Sequence, residues 1–152
     1  MFPQIVIDTS YVLPIFGIEP DFAPNEEIKE NFQIFLQKGG KICIHEMSAV
    51  EAYAKSIRIA EKIKNKHAKD IALQGFVDIM TDQSIYRYTI ADLNIMTEVH
   101  QIRFKHNDIF DCYIFGTALA HNFPLLTEDQ FAHENIKRIN VLDWERFKTE
   151  LE

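Results

Sequence analysis

A chain of 152 residues, 47% of them hydrophobic, is long enough to bury the core of one domain. Its formal net charge of -7 argues against a protein that coats nucleic acid through bulk charge, although a local basic patch remains compatible with it. No apolar run approaches the roughly 20 residues that span a bilayer, and the opening MFPQIVIDTS lacks the basic stretch of a signal peptide. We therefore expect one cytoplasmic domain over residues 1–152, without membrane contact.

Short apolar runs alternate along the chain with segments of helical periodicity. Strands are predicted at 4–7, 41–44, 85–90, 124–126 and 138–142. Helices are predicted at 26–37, from about 46 to 80 with a break near 65–70, at 92–105, at 109–122 and from about 143. A short helix near 11–16 would be strained by Pro14, and 17–24 is a loop. This alternation is typical of an α/β domain with a parallel sheet covered by helices on both faces.

Sulfur and imidazole ligands do not form a recognisable metal site. Cys43 and Cys112 lie in apolar segments, where buried free thiols are favoured over a disulfide. The six histidines show no repeated metal-ligand spacing. The cysteines and histidines therefore do not predict a zinc site.

Two acids follow predicted strands, at the edge where parallel sheets form their sites. Asp8 comes directly after the first strand, and Asp129 comes three residues after Leu126. Each has a structural alternative, because Asp8 suits a helix N-cap and Asp129 suits a turn in which Glu128 would serve equally well. Neither acid identifies a site by itself.

Two further acids lie in predicted helices. Asp111 opens IFDCYIFGTALA, a helix that is apolar nearly all round and is therefore expected to be buried, but Asp108 three residues earlier would also make a capping box with it. Glu51 lies at the border of an apolar stripe; the usual alternative for such a glutamate is a solvated surface residue, and Glu46 is the competing acid. The stripe that we predict on that helix comprises Met47, Val50, Ala54 and Ile57.

Together these segments resemble the PIN-domain nucleases, a family that includes VapC-type toxins. The matching stretches are IVIDTS around Asp8, MSAVEAYAK around Glu51, HNDIFDCYIFGTALA around Asp111 and LLTEDQF around Asp129. The last two are the most specific, and the second is the least, because many helices carry a glutamate. The resemblance covers essentially the whole chain and implies a single PIN-like domain with a central parallel sheet of about five strands.

The resemblance also implies an activity, namely cleavage of RNA phosphodiester bonds with Mg²⁺ or Mn²⁺. Asp8 and Asp111 would be direct ligands, and Asp129 would be a ligand or would hold a metal-bound water. Glu51 would complete the ligand set or act as the base. Asp108 would support these ligands without contacting the ion, or it would serve as an occasional ligand. Such a set of hard oxygen donors suits Mg²⁺ or Mn²⁺ rather than zinc.

Hydroxyl and basic side chains could support this chemistry. Three hydroxyls could bind waters or phosphate, or could only cap helices and support turns: Ser10, Thr9 and Thr127. Viewed down the axis of the predicted helix, three basic residues point within about 40° of Glu51: Lys55, Arg58 and Lys62. They could bind successive phosphates of an RNA backbone. Alternatively, Lys55 only pairs with Glu51 on a solvated face.

Two rival functions remain at this stage. A haloacid-dehalogenase-like phosphatase also begins with an acid at a strand end, but it needs a second acid two residues later, where this chain has Ser10. A catalytically decayed PIN-like module that binds RNA or acts as a scaffold is the other alternative. For a toxin, the expected partners besides RNA are a small antitoxin protein and a second copy of the chain.

Overall fold

Five parallel strands form one sheet in the computed structural model, which describes residues 2–151. The strands are β1 (Gln4–Ile7), β2 (Lys41–His45), β3 (Ile85–Tyr88), β4 (Leu125–Leu126) and β5 (Val141–Leu142). Their order across the sheet is β3-β2-β1-β4-β5, so β1 lies at the centre between β2 and β4. The predicted fold class is therefore confirmed.

Helices connect the strands and cover both faces of the sheet. Those within residues 2–151 are α1 (Asn25–Gln37), α2 (Glu46–Lys62), α3 (Lys66–Thr81), α4 (Leu93–Arg103), α5 (Ile109–His121), α6 (Gln130–Asn135) and α7 (Trp144–Leu151). None of the helices in this part of the chain is long and apolar enough to cross a membrane. The prediction from the sequence missed α6. The break before α3 falls slightly earlier than predicted, at Lys64, whose φ is 53°.

Proline does not strain the segment after β1. The chain there forms two short 3₁₀ helices, Thr9–Tyr11 and Leu13–Phe16, instead of the single helix that we predicted. Pro14 lies in the first turn of the second one, where a missing backbone N–H costs nothing. This tight turning keeps the residues after Asp8 close to the end of β1.

The sheet separates two apolar clusters, because successive side chains of a strand point to opposite faces. On one face, Ile5 and Ile7 pack with the aromatic residues of α1 and α7. On the other face, Val6 and Cys43 pack with α4 and α5. Cys43 and Cys112 are both buried free thiols, as predicted, and burial raises the pKa of Cys43 to about 11.

The buried face of α2 differs from the predicted one. The predicted stripe was wrong, since Val50 is 41% exposed and Met47, Ala54 and Ile57 are only half-buried. The side chains that are buried are mostly small, and they comprise Ser48, Ala49, Glu51, Ala52, Ser56 and Ala60. Small side chains let α2 pack closely against α3 and α5. Glu51 therefore lies on the inner side of its helix and not at a solvated border.

Candidate functional site

The site begins at the carboxyl end of β1, where Asp8 is only 8% exposed. Its Oδ1 accepts a hydrogen bond of 2.5 Å from the backbone N–H of Thr9. Its Oδ2 accepts one of 2.5 Å from the hydroxyl of Thr127, which is fully buried just beyond β4. Adjacent strands thus supply both the acid and the hydroxyl that fixes it. The cap alternative is also correct, because Asp8 precedes the first 3₁₀ helix.

The charge of Asp8 is destabilised by its surroundings. Burial raises the pKa of Asp8 to about 7, although the hydrogen bonds from Thr127 and from the backbone of Thr9 act in the opposite direction. The negative charges of Asp111 and Glu51 raise this pKa further. The structure therefore brings the carboxylates of Asp111 and Glu51 into electrostatic range of Asp8. A cation among them would relieve the repulsion.

Glu51 reaches the same region from the second turn of α2. It is 8% exposed, and its Oε2 accepts a hydrogen bond of 2.5 Å from the hydroxyl of Thr9. Its Oε1 lies 2.6 Å from Nζ of Lys55. Thr9 consequently links two acids, through its N–H to Asp8 and through its hydroxyl to Glu51. Glu46 serves another purpose, because its Oε1 accepts from the backbone N–H of Ile90 beyond β3.

Asp111 lies in the first turn of α5, behind the N-cap residue Asp108. Oδ1 of Asp108 accepts from the N–H of Phe110 at 2.8 Å and from that of Asp111 at 3.4 Å, so half of the predicted capping box exists. The side chain of Asp111 does not complete the box; its Oδ2 lies 2.8 Å from Nε2 of His106. Burial raises the pKa of Asp111, the contact with His106 lowers it, and the charges of Asp108 and Asp129 raise it.

Asp129 begins α6, and its Oδ1 accepts a hydrogen bond of 2.9 Å from the N–H of Ala132. Its own N–H donates to the hydroxyl of Thr127. Glu128, which the sequence could not separate from it, is bound elsewhere. Glu128 accepts from the hydroxyl of Tyr11 and from the backbone N–H of Trp144. Asp129 is therefore the acid of this loop that lies close enough to influence Asp111.

The donor chemistry of this acidic cluster, Asp8, Glu51, Asp111 and Asp129, suits a hard divalent cation, because all its ligands would be carboxylate oxygens. Oδ1 of Asp111 and Oδ2 of Asp129 have no hydrogen-bond partner among residues 2–151. Ser10 Oγ is likewise buried without a partner in this part of the chain. Within the same residues, no three His, Cys, Asp or Glu side chains are already arranged to hold a metal ion. The cluster has the right chemistry but is not a preformed cage.

The three basic residues predicted on α2 have different surroundings. Lys55 forms the ion pair with Glu51 and so belongs to the edge of the acidic cluster. Arg58 is exposed, and its Nε donates to the carbonyl of Ala54. Lys62 is exposed at the end of the helix. The pairing of Lys55 with Glu51 agrees with the structural alternative, while Arg58 and Lys62 remain open to solvent.

His106 is the residue near the cluster that sequence reasoning missed. It precedes α5 by three positions and has no spacing typical of a ligand. The only available signal was its place beside the acidic segment, in HNDIFD. Its contact with Asp111 depends on how the loop between α4 and α5 folds back, which no local pattern predicts.

Comparison with known proteins identifies the family. The PIN domain family model matches residues 5–138, a segment that includes all four acids of the cluster. The chain belongs to the PIN domain family. No curated protein matches the sequence significantly.

Solved structures with a similar fold include toxin–antitoxin complexes. The VapBC complex from Salmonella typhimurium bound to DNA contains a chain with a TM-score of 0.62 and 20% identity, covering 95% of this chain and 99% of that one. For VapBC2 from Rickettsia felis bound to a promoter DNA fragment, the TM-score is 0.62 and the identity 16%, with coverage of 93% of this chain and 98% of that one. For a toxin–antitoxin complex from Klebsiella pneumoniae the TM-score is 0.54 and the identity 16%, with coverage of 89% of this chain and 94% of that one. At these identities the likeness concerns the fold.

Proposed function

We propose that this protein is a ribonuclease that hydrolyses RNA phosphodiester bonds with the help of Mg²⁺ or Mn²⁺. The observation that carries the proposal is the buried Asp8, whose pKa is raised to about 7 by burial and by neighbouring carboxylates at the carboxyl end of the central strand. Perturbed acids in such a position are typical of functional sites. Membership of the PIN domain family supports the same chemistry.

Each residue of the acidic cluster has a role in this proposal. Asp8, Asp111 and Asp129 would hold the ion, which would supply a polarised water and compensate charge on the phosphate. Glu51 would complete the ligand set or accept the proton of the attacking water. Thr9 holds Asp8 and Glu51 in a fixed relation.

Three further residues support the cluster in the proposed reaction. Thr127 fixes the second oxygen of Asp8. Ser10 has a buried hydroxyl free to bind a water or a phosphate oxygen. Asp108 caps α5 and so fixes the start of the helix that carries Asp111.

The exposed side of α2 gives the RNA backbone a path away from the cluster. Lys55, Arg58 and Lys62 follow one another along the helix at steps of about one turn, which is roughly 5.4 Å. Phosphate contacts from such residues account for much of the affinity of nucleic-acid binding. A local stripe of this kind is compatible with the net charge of -7, because it does not depend on the charge of the whole molecule.

We further propose that the nuclease is the toxin of a toxin–antitoxin pair, with a small antitoxin protein as partner and a homodimer as the assembled form. The support for the antitoxin partner is the fold shared with chains of the VapBC complexes and of the toxin–antitoxin complex from Klebsiella pneumoniae. Co-purification with the product of a neighbouring gene, followed by light scattering, tests both partners. A monomer that binds no such product would refute this part of the proposal and leave the nuclease assignment standing.

Cleavage of single-stranded RNA tests the activity. Purified protein should cleave with Mn²⁺ or Mg²⁺ and stop in excess chelator. Asp129→Asn should lower the rate more than about 100-fold. Residues that only hydrogen-bond to metal ligands already contribute about 10–100-fold, and a ligand should contribute more. Glu128→Gln is the matched control, because the neighbouring acid binds Tyr11 and Trp144 instead. Cleavage that persists in chelator would exclude the metal mechanism. RNA binding without cleavage would favour the decayed module.

A further inference from the structure

His106 occupies a closely defined position beside the acidic cluster. Its side chain is 16% exposed, and its ring stacks on Phe131 of α6 with centroids 4.4 Å apart and planes 28° apart. A second ring, Phe115 of α5, lies 5.7 Å away. Aromatic contacts of this kind restrict how the imidazole can rotate. The ring is therefore held in one orientation by two helices.

The backbone of His106 is fixed as well. Its N–H donates to the carbonyl of Ile102 at 3.0 Å. Its carbonyl accepts from the guanidinium of Arg103 at 2.8 Å and from Sγ of Cys112 at 3.7 Å. The last turn of α4 and the first turn of α5 thus both anchor the residue. Backbone and ring together place Nε2 at 2.8 Å from Oδ2 of Asp111.

This contact determines the orientation of the Asp111 carboxylate. The terminal torsion of an aspartate is broad, so an unsupported carboxylate would sample many orientations. An ionised carboxylate only accepts hydrogen bonds, so the ring presents an N–H at Nε2. One oxygen of Asp111 is then committed to His106, and Oδ1 is left without a partner among residues 2–151. That division is what a ligand residue requires, with one oxygen held and one available.

We propose that His106 is a positioning residue that orients Asp111 toward the divalent ion. The inference rests on the proposed function, since it assigns a role to a residue outside the ligand set. Hydrogen-bond partners of ligating groups raise metal affinity by holding the ligand in place, typically by about 10–100-fold. His106 would act in this way from the loop between α4 and α5, where its ring packs on Phe131 of α6.

Substitutions at His106 can separate the hydrogen bond from the packing. His106→Phe keeps a ring against Phe131 but removes the N–H. His106→Gln places an amide N–H near the position of Nε2, whereas His106→Asn is one methylene shorter and does not reach Asp111. His121→Phe is the matched control, because His121 also contacts an aspartate, Asp92, at 3.2 Å and lies outside the acidic cluster. Melting in chelator verifies that each variant is folded.

Calorimetric titration with Mn²⁺ provides the decisive readout. His106→Phe and His106→Asn should bind Mn²⁺ about 10–100-fold more weakly than wild type, while His106→Gln and His121→Phe should stay within about threefold. Saturating Mn²⁺ should restore most of kcat in the weak variants. Wild-type affinity in folded His106→Phe or His106→Asn overturns the positioning role while the nuclease proposal stands. A wild-type protein that neither binds Mn²⁺ nor cleaves RNA overturns both.

Discussion

Replacing Asp8 with asparagine should remove the nuclease activity and, in chelator, stabilise the protein at alkaline pH. The reason is the pKa of Asp8, which burial raises from 3.8 to about 7 in the folded protein. Between these values the folded state keeps a proton that the unfolded chain releases. Wild type therefore loses stability as the pH rises from about 4 to about 7. Asparagine cannot ionise and does not contribute to this loss.

The size of the effect follows from the same shift. About three pKa units correspond to roughly 4 kcal/mol, which is an upper bound. Asparagine offers one carbonyl oxygen where Asp8 accepts from both Thr9 and Thr127, and a weakened cap costs about 1 kcal/mol. A net gain of about 1–3 kcal/mol above pH 7 would raise Tm by roughly 2–12 °C for a domain of this size.

Thermal melting in chelator at pH 4.5 and pH 8 measures the difference. Asp8→Asn should melt higher than wild type at pH 8, and this advantage should vanish at pH 4.5. Asp92→Asn is the matched control, since Asp92 caps α4. Burial raises the pKa of Asp92, but hydrogen bonds from the N–H groups of Asn94 and Ile95 and from His121 outweigh it and lower the pKa. The control should therefore lose stability at pH 8.

Metal addition should reverse the order of the two proteins. In the proposed function Mn²⁺ would bind the folded state and stabilise it by mass action, so it should raise the Tm of wild type more than that of Asp8→Asn. An Asp8→Asn protein that melts lower than wild type at both pH values, with an equal response to Mn²⁺, would contradict this prediction. Asp8 would then be only the cap of the following 3₁₀ helix.

Three other changes test separate parts of the structure. Asp111→Asn should also lose activity, and in thermal melts with chelator it should be more stable than wild type at alkaline pH, because burial raises the pKa of Asp111. A loss of Tm that does not depend on pH would indicate a capping role instead. Replacing Arg58 and Lys62 with alanine while keeping Lys55 should flatten the salt dependence of RNA binding by up to about 0.7 per lost contact, and an unchanged slope would make them ordinary surface charges. Gly75→Ala should lower stability by about 1–3 kcal/mol in denaturant titrations, because a Cβ would lie 2.7 Å from the carbonyl of Ile15; unchanged stability would mean that α3 can shift outward.

The strands, and the positions of the acids relative to them, were predictable because their signals are local. QIVI is a short apolar run that ends in an acid, and the central strand of the sheet ends there. The helix that contains Asp111 is apolar nearly all round, and its middle is buried as expected, with Cys112 and residues 114–118 inside the protein. In both cases a few neighbouring residues contain the information. Their arrangement around Asp8 followed from sheet topology, since parallel strands bring their carboxyl ends to one edge.

Other features depend on contacts between distant segments. The buried face of α2 consists largely of alanine and serine, which give a weak hydrophobic signal, so larger exposed residues such as Val50 misled the prediction. The six residues of α6 are too few to show a period. Glu128 and Asp129 became distinguishable only through Tyr11 and Trp144, which lie far away in sequence.

The C-terminal helix α7 contacts residues near the acidic cluster, although it lies outside the segment that matches the family model. The family match ends at residue 138, yet Trp144 in α7 donates its backbone N–H to Glu128 and packs its ring 5.8 Å from that of Tyr11. Glu128 is next to Asp129 in sequence, and Tyr11 lies three residues after Asp8. A chain shortened to the matched segment would lose the contacts of Trp144 with Glu128 and Tyr11. The ring of Tyr11 would then be more exposed to solvent. Engineers who trim or fuse this domain at its C-terminus should therefore treat α7 as part of the folded domain.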